Sequence, residues 1–340
     1  MPVCTKTLSP VTADRRELQM TNRIQSAAPV ATTPKTHSKT HKLLKRIWEH
    51  RILYLFIFPC VVFLLLFSYY PMYGATLAFK DYKYNLGILG SPWIGFKHFE
   101  DFISSPEFWV VIKNTVIISG LKILFGFPAP IILALLLSEV RKSKFKRMIQ
   151  TMSYLPNFVS WVVVISLMTV IFTPYGGIIN NFRKELGLES VFYMGTKEYF
   201  YPMVVLSDIW KNAGWGSIVY LSAISGVSQE LYEAAIIDGA GRLKCTWHIT
   251  LPGIKGTIGI MFIFAVGGIL NAGFDQILLL QQPANNQISE ILDTFVLKTG
   301  LNYGRFEYAT AIGLFKSVFA LALMSITNVI SQKFLEVGIW

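Results

Sequence analysis

The chain has 340 residues, of which 53% are apolar and only 15% charged, against about a quarter charged in an ordinary soluble domain. Twenty-five Phe, fifteen Tyr and eight Trp suit a surface that faces lipid and its interfaces. The net charge of +11 gathers largely in the N-terminal arm and one short loop beside apolar segments, which argues for membrane flanks and against a nucleic-acid face.

Residues 1–45 are polar and rich in Ser, Thr and Pro, with no apolar run of the kind a signal peptide carries. They are expected to be a disordered cytoplasmic tail, followed by a transmembrane domain over 50–340. About 20 apolar residues span the hydrocarbon core. On that measure spans are expected at about 52–79, 108–138, 148–182, 202–227, 257–280 and 308–330. The second is interrupted by Lys113 and Lys122, and the fourth carries Asp208 and Lys211 near its start. The expected fold is an all-α membrane protein with six transmembrane helices.

Lys and Arg set the orientation. The arm ends "HKLLKRIWEHR", and the loop after the second span holds Arg141, Lys142, Lys144, Lys146 and Arg147 against the single acid Glu139. Both belong inside the cell, so the N- and C-termini are expected in the cytoplasm of a multi-pass protein in the bacterial plasma (inner) membrane. The mixed-charge loops at about 80–107, 174–200 and 281–307 fall outside. Trp93, Trp161 and Trp340 read as interface anchors.

The segment between the fourth and fifth spans, about 228–256, is long and polar. Ser228 suits an N-cap with Glu230 in the first turn; Gly239 and Gly241 end the helix, and Pro252 marks the return to the bilayer. Leu231, Ala234, Ala235 and Asp238 fall at 3–4 spacing, and Glu233 adds a second acid at the rim. On these residues alone the segment is equally a solvated interfacial helix or a docking helix.

Its pattern also resembles a family. Glu233-Ala234-Ala235, Gly239, Ile249 and Leu251-Pro252 are spaced like the cytoplasmic signature loop of bacterial ABC importer permeases. Asp238 and Trp247 match frequent positions of the sugar-importing branch, although Thr246 stands where that branch often has Phe. "GGILNAGFDQILLL" and "YATAIGLFKSV" look like the oligosaccharide and polysaccharide permeases, including importers of uronate-containing sugars. The resemblance covers about 50–340. It implies the type I importer fold, a second homologous permease subunit, two ATP-binding cassette subunits holding ATP and Mg, and an extracytoplasmic solute-binding protein. It implies no cofactor bound by this chain. Glu233, Ala234, Ala235, Asp238, Gly239, Ile249, Leu251 and Pro252 would then couple the chain to an ATPase subunit.

Ionisable groups inside a span face a cavity or a partner. Asn271, Asp275 and Gln276 in the fifth span, opposite Trp210, Lys211, Asn212 and Trp215 in the fourth, are candidates for a sugar path. The competing readings are an Asp208–Lys211 pair on one helix and an Asn271 bond across helices. Lys122 sits too deep in the second span to reach water fully and is expected to face polar protein.

Catalytic constellations are absent. There is no Gly-x-x-x-x-Gly-Lys-Ser/Thr loop, so the chain is not expected to hydrolyse ATP. The five histidines are scattered, and Cys4, Cys60 and Cys245 have no metal-ligand spacing. A self-contained secondary transporter or channel would call for an internal repeat or coupled acids and bases in mid-membrane, and a membrane enzyme for an acid pair or metal site. None stands out in the sequence.

Overall fold

The computed structural model describes residues 48–335 together with Gly338. The expectations for the N-terminal tail and for Trp340 fall outside these residues. Among the described residues the chain is helical throughout, and β pairing is confined to an isolated bridge between Lys80 and Trp93. The chain divides into two units at Ser68/Tyr69.

The first unit contributes helix α1, Arg51–Leu64. It is apolar all round and contains no buried residue, a composition that suits a membrane span. Pro59 interrupts its backbone ladder, and Cys60 lies exposed on it as a small apolar side chain.

The second unit carries the rest. Helix α2 (Pro106–Leu121) opens with Ser105 accepting from the Phe108 amide at 3.2 Å and with Pro106 in the first turn, where its missing N–H costs nothing. A π-type turn at Lys122–Gly126 joins it to α3 (Pro128–Glu139), so the expected second span is one helical run of 34 residues, Pro106–Glu139.

The expected third span is not a straight helix. Helix α4 (Ser143–Tyr154) and a 3₁₀ turn at Leu155–Phe158 meet α5 (Trp161–Phe172) at 100°. Phe182, counted with that span in the sequence, belongs to a separate helix, Ile178–Glu185. The bend occurs because Ser160 adopts an extended backbone to cap α5, its hydroxyl accepting from Val163.

Helix α6 (Lys197–Ser225) has 29 residues, a length of about 43 Å at 1.5 Å per residue. Its close approach to α4 depends on Gly214, because a side chain there would run into the backbone of Ser153. After α6 come α7 (Gln229–Ile237), α8 (Arg242–Cys245, continued by a π-type turn to Gly253) and α9 (Lys255–Gly267). The run Arg242–Gly253 meets α9 at 64°. The break falls at Ile254, two residues after the proline expected to mark it.

The expected fifth span is also discontinuous. After α9 the chain makes a 3₁₀ turn at Ile269–Asn271, passes through Ala272 (φ 45°) and Gly273 (φ 82°), and restarts as α10 (Phe274–Leu280). A left-handed alanine is disfavoured by its Cβ, and Ala272 is held there by burial. Helices α11 (Leu292–Leu297) and α12 (Phe306–Leu335) complete the unit.

By length and composition three helical runs qualify as membrane spans (Arg51–Phe79, Pro106–Glu139 and Phe306–Lys333), or five if each bent pair is one span. Helix α6 has the length for a sixth but contains Asp208 and Lys211. The core forms where α2, α5, α6 and α10 meet, around Ile118, Ile165, Val204 and Ile277, with a second cluster around Phe102, Leu270 and Ile312.

Candidate coupling helix and intramembrane polar cluster

Helix α7 is closed by its sequence at both ends. The Ser228 hydroxyl accepts from the Glu230 amide at 3.3 Å, and Glu230 adds a carboxylate to the positive end of the helix dipole. At the other end the Gly239 amide donates to Ile236 at 3.0 Å and the Ala240 amide donates to Ala235 at 2.8 Å. This is a Schellman closure, and it demands the φ of +77° that Gly239 supplies. Gly241, expected to share that role, instead caps α8 with an extended backbone. The Tyr232 hydroxyl lies 2.9 Å from Thr250 Oγ1 and ties α7 to the run that follows it.

No residue of α7 is buried. Glu233, Ala234, Asp238 and Gly239 are exposed, Ala235 is half-exposed, and the apolar Ile236 and Ile237 stand 66% and 86% exposed. Nearby Leu243 and Trp247 are exposed as well. Of the remaining signature residues Ile249 and Leu251 are half-buried and Pro252 is exposed. The outcome is a rigid, doubly capped rod with an uncovered apolar flank.

The structure separates the residues expected to form the sugar path. Gln276 is fully buried: its amide donates to the Val204 carbonyl and Ser207 Oγ at 2.8 Å, while its carbonyl oxygen accepts from Lys122 Nζ at 2.6 Å. Lys211 is also buried. Its ammonium donates to the Asn157 carbonyl at 2.8 Å and to those of Pro156 and Val159, and it lies 5.5 Å from the Trp161 ring. It therefore satisfies the Asn157 and Val159 carbonyls at the bend before α5, and the half-buried Trp161 packs against the core cluster. Trp210 points to another side of α6, where it lines an apolar cleft of about 460 Å³ with Val164, Leu167 and Leu206. Trp215 stays half-exposed with its ring edge-on to Phe158. Asn271 and Asp275 are exposed but lie on either side of the break, not one turn apart on a helix.

In place of the expected Asp208–Lys211 pair, Asp208 Oδ1 lies 3.3 Å from Lys122 Nζ and accepts from Asn212 at 3.1 Å. Asn157 in turn donates to Asn212 at 3.3 Å. Gln276, Lys122, Asp208, Asn212 and Asn157 thus form one chain of polar groups between α2, α6 and the segments around them. Beside it lies a cleft of about 330 Å³ lined by Ser119, Lys122, Asp208, Asn271 and Gly273. Lys122 does face polar protein. The sequence signal for its partner was the helical face shared by Asp208 and Asn212, four residues apart; a partner 86 positions later has no local signature.

The other ionic contacts lie elsewhere. Lys316 Nζ meets Asp293 Oδ1 at 2.6 Å, joining α12 to α11, and Lys298 meets Glu290 at 2.7 Å. Among the described residues no group of three or more His, Cys, Asp or Glu is placed to hold a metal.

Broken helices and an ion pair enclosed within a span are features of a membrane permease. The chain belongs to the binding-protein-dependent transport system inner membrane component family, which it matches over residues 126–336. It is 44% identical over 313 residues to Protein LplB of Bacillus subtilis, covering 92% of this chain and 97% of that one. It is 45% identical over 302 residues to the polygalacturonan/rhamnogalacturonan transport system permease protein YteP of the same organism, covering 89% and 94%. Its fold matches a chain of a bacterial ABC transporter involved in the import of the acidic polysaccharide alginate, with a TM-score of 0.80, 39% identity, and coverage of 86% of this chain and 99% of that one. The permease is accordingly an inner-membrane ABC importer subunit, and such subunits are not themselves enzymes and bind no cofactor.

Proposed function

We propose that this chain passes an acidic oligosaccharide through the membrane and is driven by an ATPase subunit seated on α7. The observation that carries the coupling role is the exposure of Ile236 and Ile237 on a helix held at both ends and tied by Tyr232. Apolar side chains that far from any core of their own chain are best explained by a partner. Glu233 and Asp238 supply acceptors at the rim of that contact, Ala234 and Ala235 let the partner's backbone approach, and Gly239 sets the turn. Ile249, Leu251 and Pro252 hold the returning segment.

In this reading α7 is cytoplasmic, both termini lie on the same side, and α6 with the two bent pairs brings the spans to six. A second permease subunit completes the path, two cassette subunits hold ATP and Mg, and a solute-binding protein delivers the sugar from outside. The acidic substrate is suggested by the relatives that carry polygalacturonan/rhamnogalacturonan and alginate in their names.

The coupling assignment is tested by Glu233→Arg and Gly239→Arg in the reconstituted complex. Substrate-stimulated ATP hydrolysis is expected to fall about tenfold or more, a loss of about 1.4 kcal/mol of association or alignment, while membrane insertion persists. Hydrolysis and uptake at the native level would refute it. The substrate class is tested separately, by comparing stimulation with oligogalacturonides, alginate oligomers and neutral oligosaccharides of equal length.

A further inference from the structure

Helix α4 carries a second surface, distinct from the coupling loop and from the polar cluster. Lys146, Ile149, Gln150 and Ser153 are half-buried against the rest of the chain, whereas Ser143, Lys144, Arg147, Met148, Thr151 and Met152 are all exposed. At 3.6 residues per turn these six occupy one continuous half of the helix. They line a cleft of about 510 Å³. Along its length the face is graded, with Ser143, Lys144 and Arg147 at one end and Met148 and Met152 one turn further on. Leu155 and Phe158 then remain 64% and 71% exposed just before the apolar α5 begins.

The charge is unbalanced. Arg141, Lys142, Lys144, Lys146 and Arg147 fall within seven residues. None of them has an acidic partner within 4 Å among the described residues, and the neighbouring acid, Glu139, faces Arg242 at 3.8 Å instead. Like charges this close repel, so an anion is favoured here. An acidic protein surface would answer the charge but not the methionine and leucine stripe that continues from it toward a membrane helix. A phospholipid answers both.

We propose that this face binds an anionic phospholipid, with the phosphate between Lys144 and Arg147, the Ser143 hydroxyl donating to it, and an acyl chain along Met148 and Met152. Selectivity comes from net charge, since a zwitterionic lipid brings its own cation to the patch. A cation near an anionic lipid surface is worth about fivefold in affinity.

The full-length protein is purified in detergent and titrated with dioleoylphosphatidylglycerol or dioleoylphosphatidylcholine, and bound lipids are counted by native mass spectrometry. The first phosphatidylglycerol is expected to bind at least about fivefold more tightly than phosphatidylcholine, with the margin shrinking as salt shortens the Debye length from about 10 Å at 0.1 M. Lys144→Gln with Arg147→Gln removes the preference, bringing phosphatidylglycerol binding to the level of phosphatidylcholine. Both side chains are exposed, so the thermal midpoint is expected to hold. Arg183→Gln with Lys184→Gln, on a separate helix, keeps the preference. No preference in the native chain, an undiminished preference in the first variant, or equal loss in the second would each overturn the proposal. So would a first variant that weakens binding of the purified ATPase subunit and leaves lipid selectivity intact. Lipid reaches every face of a solubilised protein, so the outcome does not depend on the orientation or substrate proposed above.

Discussion

Gly214 on α6 and Ser153 on α4 are in backbone contact: a Cβ built on Gly214 would overlap the Ser153 carbonyl oxygen. Because that atom belongs to the backbone, no rotamer change relieves the clash, and the two helices have to separate. Small residues that let helix backbones touch make association rest on such close packing. Gly214→Ala is therefore expected to cost about 1–3 kcal/mol, the usual range for overpacking. The check is a drop in the apparent melting temperature of the purified permease. A midpoint equal to the native one would mean that α4 is free to move off α6.

The Lys122–Asp208 pair leads to a second prediction. Both side chains are mostly enclosed, with 14% and 19% of their surface exposed, and each neutralises the other inside a span. Lys122→Met leaves Asp208 without its counter-ion, and Asp208→Asn leaves Lys122 with only the Gln276 carbonyl. Either single change is expected to cost about 3 kcal/mol, the scale of an unpaired charge within a membrane helix. The double variant Lys122→Met, Asp208→Asn is expected to be milder than either single one. Folded yield and thermal midpoint of the three variants decide it; an additive double variant would show that the two groups do not act as a pair.

These residues also mark what the sequence could convey. The caps were legible because they are local: Ser228 before a helix, Gly239 after it, and the spacing from Glu233 to Pro252. The apolar stretches were legible too, since a hydrocarbon core asks only for length. The bend before α5 and the break between α9 and α10 were not, because a broken span and a straight one have the same hydropathy. Gly267-Gly268 and Ala272-Gly273 inside an apolar run were the available hint. Gln276 and Lys211 looked like path residues on polarity alone. Lys211 is buried by its bonds to carbonyls at a bend 52 to 55 positions earlier, and Gln276 by its bonds to Val204 and Ser207 on α6, 72 and 69 positions earlier; no window along the chain contains both halves of such a bond.

Tyr232 yields a narrower test. Its hydroxyl shares a 2.9 Å hydrogen bond with Thr250 Oγ1 across the loop, the side-chain bond that holds α7 to the run after it. Tyr232→Phe keeps the ring and removes the bond, at a cost of about 1 kcal/mol. Hydrogen exchange of the Gln229–Ile237 amides is expected to quicken about fivefold, matching that cost. Exchange in α9 stays unchanged because its ladder is independent. On the coupling role proposed for α7, the same change is expected to lower the ratio of sugar moved to ATP hydrolysed in the assembled importer, because a loose rod would transmit less displacement.

Lys211 is predicted to act as the pin of the α4–α5 corner. One ammonium donates to the carbonyls of Pro156, Asn157 and Val159 and lies against the Trp161 ring. It thereby satisfies the Asn157 and Val159 carbonyls, which the 100° bend leaves outside a helical ladder. Lys211→Met preserves the length and apolarity of the stem but leaves the Asn157 and Val159 carbonyls unpaired where water cannot fully replace the ammonium, while the Pro156 carbonyl keeps the Val159 amide. Hydrogen bonds to a charged donor are worth about 1.5–3 kcal/mol each; since the three share one ammonium, a loss of about 3 kcal/mol is expected in total. Exchange of the Val163 and Val164 amides, which donate to Ser160, should rise with it as the start of α5 frays. An unchanged midpoint and unchanged exchange would show that the corner is held by Ser160 and the Phe158–Trp215 contact instead, and that Lys211 is free for the sugar path.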